Sequence, residues 1–323
     1  MRRMGRPAKN LMGNGMNRLG LAALALAAAM GLGVDVGAAQ VPPDMAAKIK
    51  AIGPNIDPSV GKLYAPLLQS EPWPDVNVVR DQAYGSDPLQ KLDVFTPKRD
   101  ASSLRPVLLF VHGGGFVRGD KHNAGTPFTD NQLVWAVRHG MVGVNINYRL
   151  APKDKWPAAL DDLASAIAWT HAHIKTYGGN PDRIILWGHS AGANHVADYV
   201  IHAEKQGPEA AGVKGAILLS PFYGPAVGAQ PHAYYGSDPA LQTQSAALAG
   251  LVKSPIPLFL AGAEYDPAFF QVFRDAAHDA LNGRPGFSYV YLKDHDHLSE
   301  GFAVGTKDVS LTDPMLKWIK AQK

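Results

Sequence analysis

Short apolar runs recur along the chain from residue 76 onward, and they alternate with longer segments in which apolar residues lie three or four positions apart. Runs of this kind, bounded by Gly, Pro, Asn or Asp, predict strands, whereas the longer spacing predicts amphipathic helices. The predicted strands are residues 76–84, 89–96, 107–111, 141–147, 183–187, 216–219, 258–261 and 287–292. The predicted helices are residues 127–139, 158–177, 191–203, 241–251, 267–281 and 313–321.

The first two predicted strands differ from the others because only the turn residues 85–88 separate them. A short turn favours an antiparallel hairpin, here at one edge of a sheet. The strand–helix alternation that follows requires crossover connections, which give a mostly parallel sheet with helices on both faces. The sequence therefore predicts an α/β fold with a central sheet of about eight strands, whose functional residues lie at the carboxyl ends of the strands.

Two segments with helical spacing, 44–52 and 59–69, precede the sheet and are separated by Pro, Asn and Gly. We expect them to form a small N-terminal helical flap within residues 40–75. The flap and the sheet together are expected to make up a single domain, residues 40–323.

The first 39 residues have a different composition from the rest of the chain. Five basic residues precede the Leu-, Ala- and Gly-rich stretch 19–34, and the small residues 37–39 follow it. This order is typical of a secretory signal peptide, and the short apolar core favours cleavage over a retained membrane anchor. The sequence therefore predicts export to the periplasm or the medium, with no membrane span in the mature chain.

The composition of the 323 residues, 46% hydrophobic and 18% charged, is that of an ordinary globular protein. The formal net charge is +3, but the leader holds five of the 31 basic residues and one of the 28 acidic residues. The rest carries 26 basic and 27 acidic residues, a net charge of −1, which gives no argument for nucleic-acid binding. Because the chain has no cysteine, a cysteine nucleophile and a thiolate metal site are excluded.

The most informative motif is Gly188-His189-Ser190-Ala191-Gly192, directly after the predicted strand 183–187. Serine is a weak nucleophile unless its hydroxyl is held exposed beside a base. A sharp strand-to-helix turn holds it in this way and needs small residues on both sides. Because an Ala-rich predicted helix follows, the context favours a nucleophile at Ser190 over a chance match.

A second glycine motif, His112-Gly113-Gly114-Gly115-Phe116, follows the predicted strand 107–111. Three consecutive glycines cost backbone entropy, and they are useful where backbone N–H groups must approach a ligand closely. In acyl transfer such groups bind the oxyanion of the tetrahedral intermediate. A flexible turn is the alternative for this motif taken alone, and the serine motif makes that alternative weaker.

Together with Asn-Tyr-Arg-Leu-Ala-Pro at 147–152 and Trp-Pro-Ala-Ala-Leu-Asp-Asp at 156–162, the two motifs resemble the α/β-hydrolase family in order and spacing. The resemblance is to the hormone-sensitive-lipase-like and bacterial carboxylesterase branch, and it extends from about residue 76 to the C-terminus. It implies the α/β-hydrolase fold. In relatives the N-terminal segment often helps to cover the active site, whereas the alternative role of the flap is to close one side of the core.

One position departs from the family pattern. Many relatives carry a histidine two residues after the last glycine of the serine motif, where this chain has Asn194. We expect this difference to alter the packing of the helix rather than the chemistry.

The resemblance implies a catalytic triad in the chain order Ser, Asp, His. The acid follows the penultimate strand, where Asp266 matches the family's position after a short Gly-containing turn and Glu264 is the alternative. The base follows the last strand, where His297 carries the Leu-Ser continuation typical of relatives and His295 is the alternative.

The resemblance also implies an oxyanion hole formed by the second and third glycines of the glycine motif and the residue after the serine. These positions are Gly114, Gly115 and Ala191. No cofactor or metal is expected, because the acids beside His295 and His297 have no further metal ligands at recognisable spacing.

The predicted function is therefore a secreted serine carboxylesterase that hydrolyses small or medium esters through an acyl-enzyme at Ser190. Its expected partner is a small-molecule ester. An amide-cleaving relative, arylformamidase- or peptidase-like, with the same triad is the first alternative. A lipase, for which the sequence offers no obvious long lid, and a non-catalytic binding protein of the same fold are less favoured.

Overall fold

The computed structural model describes residues 41–99, 103–222, 233–238 and 247–323. The predicted signal peptide, residues 1–39, lies outside these ranges, and so do residues 241–246 of the predicted helix 241–251. None of the helices in the described ranges combines the length and the apolar character that crossing a membrane requires.

Within the described residues, eight strands form one sheet. In chain order they are β1 (Val76–Ala83), β2 (Lys91–Pro97), β3 (Arg105–Val111), β4 (Val142–Ile146), β5 (Gly179–His189), β6 (Val213–Leu219), β7 (Leu258–Tyr265) and β8 (Phe287–Asp296). Their spatial order is β1-β2-β4-β3-β5-β6-β7-β8. The strand β2 is antiparallel to β1 and β4, and the neighbouring pairs from β4 to β8 are parallel. The predicted edge hairpin and mostly parallel sheet are confirmed.

The α-helices of the described ranges are α1 (Pro43–Ile52), α2 (Gly61–Tyr64), α3 (Asn131–Arg138), α4 (Ala158–His173), α5 (Ala191–Ile201), α6 (Leu248–Lys253), α7 (Ala268–Leu281), α8 (Ser299–Phe302) and α9 (Thr312–Ala321). Several predicted helices have wrong bounds. The predicted helix 158–177 is α4 only as far as His173 and continues as a 3₁₀ turn, and the predicted helix 191–203 ends at Ile201. Helix α3 begins at Asn131 rather than at residue 127, because Thr129 has φ 67° and cannot belong to a right-handed helix. The predicted helix 59–69 is divided into α2 and flanking 3₁₀ turns, the second of which contains Pro66.

Both faces of the sheet are covered, as the residue alternation along β3 illustrates. Val107, Leu109 and Val111 belong to one apolar cluster, which includes side chains of α4, α5 and α7. Leu108 and Phe110 belong to a second cluster, on which α3 and α9 pack. Because every second side chain of a strand points to the same face, a central strand of this kind is apolar throughout.

The N-terminal flap has a small apolar core of its own. Met45, Ile49 and Tyr64 are buried there together with Ala303, which follows α8. The flap is therefore packed against the segment that follows β8, at the carboxyl edge of the sheet.

Candidate active site

Five parallel strands, β3 and β5 to β8, end at the same edge of the sheet. Each is followed by a segment that carries a candidate functional group: the glycine motif after β3, Ser190 after β5, Ser220 after β6, Asp266 after β7 and His297 after β8. The parallel arrangement therefore brings together residues that lie up to 185 positions apart in the chain (from residue 112 to residue 297).

Ser190 occupies the turn between β5 and α5 with φ 54° and ψ −123°, a conformation that L-residues seldom adopt. Its N–H donates to the carbonyl of Leu219, 2.9 Å away. A Cβ at Gly192 would lie 2.0 Å from the carbonyl oxygen of Val111, so only glycine allows α5 to start this close to β3. This close approach and the positive φ give the sharp turn that the serine motif predicts.

The structure brings Ser190, His297 and Asp266 into one hydrogen-bonded array. Ser190 Oγ lies 2.9 Å from His297 Nε2, and His297 Nδ1 lies 2.7 Å from Asp266 Oδ1. All three side chains are buried, and Ser190 retains 8% exposure. Because the carboxylate accepts from Nδ1–H, the Nε2 atom of a neutral imidazole is free to accept the serine proton.

Asp266 is held by more donors than His297 alone. Its Oδ2 accepts from Ser220 Oγ at 2.6 Å and from the Ala263 N–H at 2.9 Å. Three donors suit a fully buried carboxylate, since each hydrogen bond stabilises its charged form. The sequence interpretation missed Ser220, although its position directly after β6 placed it at the functional edge of the sheet.

Glu264, the alternative acid, has a different partner. Its Oε2 accepts from the N–H of Asp294, 2.8 Å away, where the chain bends at φ 62° within β8. Glu264 thus stabilises the bent end of β8. The acceptor for His297 Nδ1 is Asp266.

His295, the alternative base, lies in a second buried group of polar side chains, the His295 network. Its Nδ1 lies 3.1 Å from Ser299 Oγ, and its Nε2 lies 3.0 Å from Asp308 Oδ2 and 3.1 Å from Ser310 Oγ. Burial raises the pKa of Asp308, but interactions with His295 and Ser310 together outweigh burial and keep that pKa below its ordinary value. The His295 network anchors the segment that carries His297.

The glycine motif lies directly against Ser190. A Cβ at Gly113 would be 3.1 Å from the Cβ of Ser190. The motif is held by His112, whose Nδ1 donates to the Gly113 carbonyl at 2.7 Å and whose own carbonyl accepts from the Tyr148 hydroxyl at 2.8 Å. His112 thus anchors the glycine motif through both its ring and its carbonyl group.

The three predicted oxyanion-hole positions border this arrangement. Gly114 and Gly115 line the same cavity as Ser190. Ala191 is the first residue of α5, so its N–H has no acceptor within the helix. Backbone N–H groups at such positions are suited to bind a negatively charged oxygen.

The cavity has a volume of about 860 Å³ and contains Ser190 and His297 in its lining. One part of its wall consists of aromatic side chains from the segment after β6 and from α7, the phenylalanine wall: Phe222, Phe269, Phe270 and Phe273. The flap supplies Ile56 and Pro58. Of the two roles that the sequence leaves open for the flap, this contribution to the wall favours covering the site.

Tyr234 and Tyr235 belong to the apolar cluster that contains Phe116 and not to the cavity wall. Both are buried and pack around Phe116, with ring centroids 4.9 and 5.4 Å from that ring. Their role is in packing, because neither is among the residues that line the cavity.

His189 joins the serine turn to the base. Its Nε2 lies 2.8 Å from the carbonyl oxygen of His297, so this nitrogen carries the proton and donates. Burial, with a smaller contribution from the charge of His297, lowers the pKa of His189 to about 3. His189 is therefore neutral at physiological pH.

Two groups of three potential metal ligands occur within the described residues. One consists of His189, His297 and Glu300, and the other of Glu71, His122 and Asp130. In the second group the Arg80 guanidinium already binds both Glu71 and Asp130, at 2.7 and 2.9 Å. In the first group, both ring nitrogens of His297 are engaged by Ser190 and Asp266.

Comparison with known families gives one match that covers more than half of the chain. A profile of the alpha/beta hydrolase fold matches residues 108–297. This stretch includes the glycine motif, the serine turn, Asp266 and His297.

Individual relatives match over shorter stretches. The chain is 38% identical over 111 residues to esterase LipC of Mycobacterium tuberculosis, which covers 34% of this chain and 27% of the relative. It is 37% identical over 151 residues to phenmedipham hydrolase of Pseudarthrobacter oxydans, with 44% and 27% covered. The alignments thus span about a quarter of the length of these curated relatives.

Solved structures match over most of the chain at lower identity. An esterase of Pyrobaculum calidifontis superposes with a TM-score of 0.63 at 21% identity and covers 87% of this chain and 98% of its own. A bacterial heroin esterase gives a TM-score of 0.63 at 22% identity, with 87% and 97% covered. At this identity the likeness concerns the fold.

Proposed function

The chain belongs to the alpha/beta hydrolase fold family, in its hormone-sensitive-lipase-like and carboxylesterase branch, and from this premise we propose that it is a serine carboxylesterase. The observation that carries the proposal is the continuous hydrogen-bonded array from Ser190 Oγ through His297 to Asp266. Fold alone does not determine function, whereas this array supplies a nucleophile, a base and an orienting acid in one place.

In the proposed mechanism, Ser190 Oγ attacks the ester carbonyl while His297 Nε2 takes the serine proton. His297 then gives this proton to the leaving alcohol, and an acyl-enzyme remains on Ser190. A water molecule then attacks the acyl-enzyme while His297 takes its proton. His297 returns this proton to Ser190 Oγ as the bond to the acyl group breaks and the carboxylic acid leaves. Asp266 holds the imidazole in the required tautomer and stabilises its positive charge in each step.

The negative oxygen that develops in both steps is bound by the backbone N–H groups of Gly114, Gly115 and Ala191. Removal of one donor of this kind costs on the order of 10²- to 10³-fold in kcat. The position of Gly113 against Ser190 supports this assignment, since it places the glycine motif beside the attacked carbon.

The cavity supports a small or medium ester as the substrate. Its volume of about 860 Å³ falls within the range of small-molecule sites. The phenylalanine wall adjoins the base, since the ring of Phe270 lies 4.2 Å from that of His297. An apolar or aromatic part of the ester therefore has a surface to bury next to the reacting atoms.

Export is part of the proposal. A basic segment, an apolar stretch and small residues in this order support a secretory leader over residues 1–39. Expression of the full chain in a Gram-negative bacterium should give a periplasmic or secreted product. Its N-terminal sequence should begin near residue 40, and a product that retains Met1 would contradict this part.

The test of the catalytic proposal uses the Ser190→Ala variant and aryl esters of increasing acyl length. The variant should keep the wild-type melting temperature and lose ester turnover by on the order of 10⁶-fold, as expected for loss of a serine nucleophile. A fluorophosphonate probe should label the wild type and leave the variant unlabelled. A variant that keeps near-wild-type turnover would overturn the assignment.

A further inference from the structure

A second buried carboxyl group lies behind the proposed triad. Glu300 is the second residue of α8, three positions after His297, and its side chain is fully buried. Its Oε1 lies 3.2 Å from His189 Nε2, the nitrogen that donates to the carbonyl of His297. Neither the sequence motifs nor the proposed mechanism assigns a role to this residue.

The surroundings of the two carboxyl groups are unequal. Asp266 accepts from His297, Ser220 and Ala263. Within the described residues, neither carboxyl oxygen of Glu300 has a partner at full hydrogen-bond geometry. A buried carboxylate without donors is strongly disfavoured, so the geometry places the negative charge on Asp266 and leaves Glu300 uncharged.

Ser220 connects the two carboxyl groups. Its hydroxyl donates to Asp266 Oδ2 at 2.6 Å, and its interaction with Glu300 lowers the pKa of that carboxyl group. A protonated Glu300 can donate to Ser220 Oγ while Ser220 donates to Asp266, whereas an ionised Glu300 would compete with Asp266 for the same hydroxyl proton. The arrangement therefore suits one charged and one neutral carboxyl group.

The electrostatic surroundings agree with this asymmetry. Burial, and after it the negative charge of Asp266, raise the pKa of Glu300 well above its ordinary value. Asp296 acts in the same direction, and Arg274, with the Ser220 hydroxyl, acts in the opposite direction. His189 is neutral and supplies no compensating charge.

We propose that Glu300 is a positioning residue of the active site, which in its uncharged form holds His189 against the carbonyl of His297 and thereby fixes the base relative to Ser190. The chain from Glu300 through His189 reaches the backbone of the base, and the contact with Ser220 reaches the acid. Glu300 touches neither substrate nor the reacting atoms. This role rests on the proposed function, since it concerns the geometry of the same triad.

A neutral Glu300 makes protein stability depend on pH in a distinctive way. Above the ordinary carboxyl pKa of about 4.3, the unfolded chain releases the Glu300 proton while the folded chain keeps it, so stability falls as the pH rises. Glutamine has nearly the same shape and needs no proton. Glu300→Gln should therefore raise the melting temperature at about pH 8. This gain should largely disappear at about pH 4, where the folded wild type and most of its unfolded chains hold the proton.

The experiment measures melting temperatures at both pH values for the wild type, Glu300→Gln and the control Glu209→Gln, which makes the same change in a half-buried turn outside the cavity. The control should show no gain at the higher pH. A loss of melting temperature for Glu300→Gln at about pH 8 would show a charged Glu300 and overturn the proposal. Because melting needs no substrate, this result is independent of whether the protein is an esterase.

The positioning role is tested by turnover. Glu300→Gln should keep kcat on an aryl ester within about threefold of the wild type, and Glu300→Ala should lower kcat on the order of tenfold with little change in KM, because misplaced catalytic groups lower the rate without weakening binding. If Glu300→Ala keeps the wild-type kcat, the positioning role is wrong. If no variant and no wild type turns over esters, the proposed function fails instead, and the melting result stands.

Discussion

Ser220 Oγ donates a 2.6 Å hydrogen bond to Asp266 Oδ2, the carboxylate oxygen that His297 does not contact. Both oxygens of the acid are therefore engaged, one by the base and one by the residue that follows β6. A carboxylate held at two points cannot rotate away from the imidazole. This bond links the acid to a neighbouring strand of the sheet, and its removal should affect both charge and orientation.

Ser220→Ala should lower kcat on an ester on the order of tenfold, since about 1.4 kcal/mol of lost transition-state stabilisation corresponds to one factor of ten. The carboxylate then has fewer donors, and it stabilises the imidazolium less well. Steady-state kinetics on an aryl ester measure the effect. Ser165→Ala removes an exposed hydroxyl that donates within α4 and serves as the control. Equal kcat for both variants would contradict the assigned role of Ser220.

If Asp266 and not Glu264 is the acid, amide substitutions at the two positions should have very different effects on kcat. Asp266→Asn should reduce kcat on the order of 10⁴-fold, because an amide favours the wrong tautomer of His297. Glu264→Gln retains an oxygen that can accept from the Asp294 N–H and should stay within about threefold of the wild type, as a neutral acceptor gives up only part of one hydrogen bond. Kinetics of the two variants side by side decide the matter, and the reverse order of losses would favour Glu264.

The two proposed oxyanion glycines should differ in how they tolerate alanine. At Gly114, with φ +130°, a Cβ would lie 1.9 Å from the carbonyl oxygen of Arg118, whereas at Gly115, with φ +63°, it would meet nothing within 4 Å. Gly115→Ala should therefore fold at a cost of about 1–2 kcal/mol for the left-handed conformation. Gly114→Ala can fold only if the backbone near Arg118 moves. It should therefore have a lower melting temperature than Gly115→Ala and a several-fold lower turnover.

These two variants can be compared by thermal unfolding and by fluorophosphonate labelling. Labelling reports the serine and its base in a single step, in which Ser190 Oγ bonds to phosphorus and fluoride leaves, without the later hydrolysis of an acyl-enzyme. If Gly114→Ala melts and labels like Gly115→Ala, the close approach of the glycine motif to Arg118 does not constrain the site.

Acid should destabilise the protein through its buried histidines. His195 is fully buried in α5, and burial lowers its pKa to about 3. The unfolded chain takes up a proton below about pH 6.5, whereas the folded chain does not until near pH 3, so stability falls through this window by about 1.4 kcal/mol per pH unit and histidine. His189 contributes in the same direction.

His195→Phe should remove the contribution of His195 to this loss of stability in acid. The ring of His195 packs against the rings of Phe116 and Tyr148, at centroid distances of 5.3 and 4.6 Å, which phenylalanine can retain. Denaturant unfolding at about pH 7 and about pH 5 measures the difference, which should be smaller for the variant than for the wild type. The partly exposed His171, replaced by Asn, is the control and should leave the pH dependence unchanged.

Most of the fold follows from local sequence signals. The apolar runs of β3 and β5 are short and continuous because both faces of these strands are buried, and this pattern distinguishes them from edge strands. Helix bounds are less predictable where a single backbone angle decides them. Thr129 delays the start of α3 by adopting a positive φ, and nothing in its side chain signals that angle.

The candidate site likewise contains residues that the sequence predicts and residues that it does not. Ser190 and the glycine motif are local patterns, and strand order restricts the acid and the base to two short segments. The choice of His297 over His295 depends on which side of the bent end of β8 each side chain occupies, which short-range spacing does not encode. Ser220 and Glu300 carry no motif at all, because their importance comes from side chains that only the folded sheet brings close.

The His295 network has a consequence for changes in chain length. His295 contacts Asp308 and Ser310, and His297, two residues later, is hydrogen-bonded to Asp266. The length of the chain between the two histidines is therefore fixed. Insertion or deletion of a single residue between them would rotate one histidine out of its partners, whichever one stayed in place. Engineered loop grafts on this scaffold should therefore keep residues 295–310 together and place their junctions outside this segment.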